Sequence, residues 1–242
     1  MGLLDRLARS ISASRSRKLR RRVVDWILAK LKDERGVRAE DAITTAATIV
    51  GERCIDLANE FPLRDHDLGP GARTLSPRIN EILFGDSTEG GWDAVPDESV
   101  FGMLRKHLDG GRYLDADYPP LKGIFELYAT HIGEAEYWGK APLSVPKDHH
   151  PFVLPLQMGF ESRDFVDQIL HEAKADKRVC LAIVSQSLAD ILNMVAGTLD
   201  AKTALALALE TANGMAKTAP MTKAAMAQAQ RDQSQTGRKK EG

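Results

Sequence analysis

The side chains in this sequence best suited to chemistry are histidines beside carboxylates. Asp65-His66-Asp67 and Asp148-His149-His150 each place an imidazole next to an acid. Such a pairing serves a divalent metal or a His–Asp acid/base step. His66, His149 and His150 are therefore the candidate ligands of a metal- or His/Asp-dependent enzyme, provided the fold brings the two segments together. Asp167 and His171 are an i, i+4 pair, and His131 has Glu134 close behind it, both spacings that ordinary helix-surface contacts also use. Trp92, Tyr113, Tyr118, Tyr137 and Trp138, interleaved with acids, could line a groove for a basic or peptide partner.

Other reaction chemistries lack their residues. Two cysteines, Cys54 and Cys180, cannot make a paired-cysteine zinc site, and both sit in apolar patterns that read as reduced, buried thiols. His171-Glu172 is followed by Ala-Lys-Ala, so HExxH is absent. No Glu-x-x-His occurs, which removes the di-iron bundle, and the GxSxG elbow is missing. Gly139-Lys140 ends on Ala141 where a phosphate loop needs a hydroxyl. No cofactor is implied, and an enzyme is the less favoured reading.

Charge is the stronger signal. Residues 1–38 hold 12 Lys/Arg and four acids; the other 204 residues hold 21 basic and 30 acidic groups. A segment of +8 thus precedes a body of −9. Leu3, Leu4, Leu7 and Ile11 recur at helical spacing, and Arg15, Arg17, Lys18, Arg20, Arg21, Arg22 and Trp26 follow. The expectation is a basic amphipathic arm over residues 1–37, with the Ser/Arg run SASRSRKLRRR mobile between two helical pieces. Its function is then association, without catalysis, with an anionic membrane surface or a protein partner. A nucleic-acid partner is the alternative, read through the dense Arg15–Arg22 run. Gly2 does not make a myristoylation signal, because position 6 is Arg where Ser or Thr is expected. With no secretory signal in view, a cytoplasmic or membrane-peripheral location is expected.

The elements that must position these groups read as a mostly α fold. It is a helical bundle with a loop-rich, aromatic-containing middle and a single domain over 38–218. A helix is expected over 40–61, ending before Pro62. Another begins at Ser76-Pro77 and stops at Gly85, and a third runs from Asp97 to Leu108. A longer one is expected from Pro119-Pro120 to about Trp138. The four prolines of 140–160 predict an extended wrap. A helix opens near Ser162, and the nearly all-apolar stretch 178–197 follows as the centre of the bundle. Asp200 caps the last helix to about Met215, and ALALAL within it is helical by propensity in spite of its alternation. That Ala-rich layer could also pair two copies of the chain. Residues 219–242 read as a disordered polar tail.

Overall fold

The computed structural model describes residues 3–85 and 89–227, and for residues 3–13 the backbone alone. The order is α1 (Leu3–Leu31), α2 (Ala39–Ala58), α3 (Pro77–Phe84), α4 (Val100–His107), α5 (Leu121–Thr130), α6 (Pro155–Ala173), α7 (Lys177–Val195) and α8 (Ala201–Ala216). The fold is mostly helical, with no strand among the described residues.

Local chemistry sets several of these boundaries as the sequence reads. Ser76 accepts from the Ile79 N–H at 3.0 Å, Pro77 opens α3 and Gly85 ends it. Asp200 accepts from the Thr203 N–H at 3.0 Å at the head of α8. Each such cap contributes about 1 kcal/mol. Other boundaries move. α2 ends at Ala58, because Asn59 takes the left-handed conformation and donates its N–H to Ile55 O. Ser99, two residues past Asp97, is the residue that caps α4. α5 stops at Thr130, and Gly133 with φ +85° turns the chain away. α6 starts seven residues earlier than Ser162, on Pro155 in the first helical position.

The centre of the bundle is α2, where the sequence points to 178–197. Every residue from Glu40 to Ile55 is buried, and α2 packs against α1, α3, α6, α7 and α8. Gly51 allows the close approach of α8. A Cβ there would lie 2.7 Å from the Ala216 backbone nitrogen and 2.9 Å from the Met215 Cβ. α7 is the one described helix with the length and apolar composition to cross a membrane. It is packed on α1, α2 and α4, with Leu181, Ile183, Val184, Leu188, Ile191 and Leu192 buried.

The ends of the chain belong to the body further than expected. α1 is one continuous helix through the Ser/Arg run, and Leu19, Val23, Val24 and Ile27 enter the main core. This part of α1 packs on α7 and α2. At the other end Ala219, Met221 and Thr222 are buried. Ala219 exchanges hydrogen bonds with the 71–72 backbone, at 2.9 Å from Gly71 N–H and 2.7 Å to Ala72 O. Residues 228–242 lie outside the described residues. α8 is buried from Ala204 to Ala216.

Candidate functional site

Residues 14–31 of α1 present two different faces. On the inner face, Arg20 Nη1 donates to His107 Nε2 at 2.5 Å and to Gln186 Oε1 at 3.1 Å. Its Nε stands 3.4 Å from Asp190 Oδ2. Burial first, and the Arg20 charge second, lower the His107 pKa against the opposing pull of Asp190. Arg15 donates to Glu172 O at 3.0 Å and Arg22 to Glu172 Oε2 at 2.6 Å. The Arg22 hydrogen bond leads the causes that hold Glu172 below the usual carboxylate range. Trp26 stacks on Phe165 with centroids 5.3 Å apart. On the outer face Arg17, Lys18 and Arg21 are exposed, and Arg21 makes an i, i+4 contact with Asp25 at 3.7 Å. The side chains of Leu3, Leu4, Leu7 and Ile11 lie outside the described residues.

The candidate histidines do not converge. His66 donates from Nε2 to Pro220 O at 3.0 Å and stands edge-on to Phe61, just past the end of α2. His149 donates from Nδ1 to Glu40 Oε1 at 2.9 Å, in the first turn of α2. The two thus rest on different partners, one in the first turn of α2 and one beyond its last. His150 donates to Val145 O at 3.1 Å. Arg38 closes this cluster, donating to His150 O at 2.6 Å and pairing with Glu40 at 3.2 Å. Asp41 accepts from the Phe152 and Val153 N–H groups. The cluster fastens the Pro-rich segment to the start of α2. Among the described residues no group of His, Cys, Asp and Glu is placed to hold a metal ion.

The aromatic set is also dispersed. Trp92 packs on Tyr118 and Phe101, Tyr137 on His131, and Trp138 donates to Pro70 O. Tyr113 hydrogen-bonds to Leu192 O on α7. Trp92 and Tyr118 meet, whereas Tyr113 and the Tyr137–Trp138 pair rest on other segments. Asp167 takes its hydrogen bonds from Arg53 and Arg64, not from His171.

Three interior polar groups escape the sequence reading. Arg163 on α6 grips Glu52 on α2 by Nη2 to Oε1 at 2.7 Å and Nε to Oε2 at 3.2 Å, both side chains being buried. Its third donor reaches Met221 O at 2.9 Å. Lys217 is 2% exposed. It donates to Asn213 Oδ1 at 2.6 Å, with the Phe125 and Tyr128 rings 4.7 and 5.2 Å from its nitrogen. Burial lowers its pKa to about 7, with nearby Cys54 opposing. Glu210 on α8 takes both its hydrogen bonds from Ser144. A charge inside an otherwise apolar run, as at Glu210 after ALALAL, is the one sequence signal that marks such a group.

No protein-family model, no curated protein and no solved structure matches this chain.

Proposed function

We propose that the protein is a non-enzymatic helical scaffold that associates with an anionic membrane surface through the outer stripe of α1. One relationship of register carries this reading. Ser14, Lys18, Arg21 and Asp25 are all exposed and follow one another at steps of four, three and four. Lys18 and Arg20 are two residues apart, roughly 200° around a helix, and Arg20 lies on the core side with Val23 and Ile27. Since α1 is continuous from Leu3, the same steps carried toward its start reach Ile11, Leu7 and Leu3. The apolar positions of the first turns align with the exposed cations, opposite the core face. Arg17 adjoins that stripe and Leu4 adjoins its apolar end.

An apolar stripe continued by cations suits a helix lying in the interface of an anionic bilayer. Each basic group near such a surface contributes about 1 kcal/mol. The nucleic-acid reading is weaker, because Arg15, Arg20 and Arg22 already serve Glu172, Asp190, Gln186 and His107. Arg15, Arg17, Lys18 and Arg21 of that run are exposed, and Arg15 among them is held by Glu172 O.

Co-sedimentation of the full chain with phosphatidylserine-containing and neutral vesicles tests the proposal. Binding should be confined to the anionic vesicles and released by salt. It should weaken roughly tenfold or more in K18E/R21E and in L3S/L7S/I11S. Equal sedimentation with neutral vesicles, or no loss in either variant, would overturn it.

A further inference from the structure

Two segments meet over the outer side of α8 and leave a cleft between them. The stretch 140–146 crosses α8 at Gly214, where a Cβ would lie 2.7 Å from that of Ala141. One helical turn earlier, Ser144 fastens the same stretch to Glu210, its N–H donating to Oε2 at 2.7 Å and its Oγ to Oε1 at 2.5 Å. α5 packs on α8 beside this crossing, with Asn213 Nδ2 donating to Ile124 O at 3.2 Å. The space left is about 360 Å³, walled by Pro120, Ile124 and Leu127, with Glu210, Ser144 and His131 supplying polar groups. That volume lies in the range of small-molecule sites, which combine apolar walls with few polar groups.

Glu210 is 4% exposed and forms no ion pair with any described Lys, Arg or His; only Ser144 offsets its burial. Glu52 deeper in the bundle is equally buried and has Arg163. A carboxylate has about four lone-pair positions, and Ser144 occupies one on each oxygen. A buried carboxyl without a counter-charge is unfavourable, and here it borders an apolar cleft.

We infer that this cleft binds a primary ammonium group carried on a compact apolar body, the ammonium pairing with Glu210 and the hydrocarbon lying against Pro120, Ile124 and Leu127. A guanidinium is disfavoured. Its two-pronged grip needs both carboxylate oxygens along one edge, and both already accept from Ser144. An ammonium is a point charge that needs one free lone pair. This site is independent of α1, so the vesicle experiments above leave it untouched.

The test is isothermal titration of the full chain with benzylamine, and with benzyl alcohol as its uncharged counterpart. Benzylamine should bind saturably, and the alcohol roughly ten- to a hundredfold more weakly, the range of a hydrogen bond to a charged group. E210Q should lose the preference for the amine. Gly123 lines the cleft, and a Cβ there would meet only Pro120 at an ordinary 3.7 Å. G123L should therefore fill the cleft and abolish binding with Glu210 and Ser144 left in place, which keeps the test open if E210Q fails to fold. Benzylamine affinity should also fall as the carboxyl is protonated at lower pH. Absence of benzylamine binding, equal affinity for amine and alcohol, or unchanged binding by a folded G123L would overturn the inference.

Discussion

Arg20 donates to Nε2 of His107 at 2.5 Å, and a guanidinium has no acceptor, so that ring nitrogen must carry a lone pair. The contact joins α1 to the last turn of α4. From α7, Gln186 and Asp190 face the same guanidinium, and Asn193 donates to His107 O. At this contact α1 meets an imidazole that accepts from Arg20 when neutral, with Asp190 Oδ1 3.4 Å from the same ring nitrogen.

Acid should loosen this contact. The folded pKa of His107 is lowered, so the unfolded chain binds the proton more readily and stability falls as pH drops through the ordinary histidine value, about 6.5. Thermal unfolding between pH 8 and 5 should show that fall in the wild type. H107Q, which keeps a neutral acceptor for Arg20, should show less of it. An identical pH profile in both proteins would refute the assignment.

Lys217 carries the same trend to higher pH. Its pKa is lowered to about 7 in the fold against about 10.4 when unfolded. The unfolded state binds the extra proton between those values, so the Lys217 contribution to stability rises with pH from 7. The buried Cys54 thiol, whose pKa is raised, opposes that rise above the ordinary thiol value of about 8.5. One proton sets a ceiling of about 1.4 kcal/mol per pH unit. K217M should flatten that rise in denaturant titrations, whatever its baseline stability.

Breaking the Glu52–Arg163 pair should be severe. R163A leaves a buried carboxylate without its cation and frees Met221 O. Losses of about 3–5 kcal/mol are typical of such truncations, readable as a drop in urea midpoint. E52L/R163M should recover part of the loss, because both charges leave together.

Gly51 offers a steric test. G51A places a Cβ 2.7 Å from the Ala216 backbone nitrogen, which α2 and α8 can relieve only by moving apart. A loss of about 1–3 kcal/mol is expected, and a denaturant midpoint equal to wild type would contradict the close approach.

The sequence by itself determined what neighbours along the chain decide. Ser76 with Pro77, Asp200 with Thr203, and the periodicity of 178–197 act within four residues, and each appears as a helix or a helix start where expected. The helical class follows from the sum of such signals. Tertiary structure decided where charge ends up. Arg22 meets Glu172 at 150 positions' separation, and Arg163 meets Glu52 at 111. Segregated arginines read as a detached arm until those acids are in place, and the polar residues of α2 hide its central position for the same reason. His66 and His149 look alike in sequence and lie at opposite ends of α2. Periodicity is a local property of one helix, whereas pairing across helices depends on which faces meet. Only the packed chain fixes that.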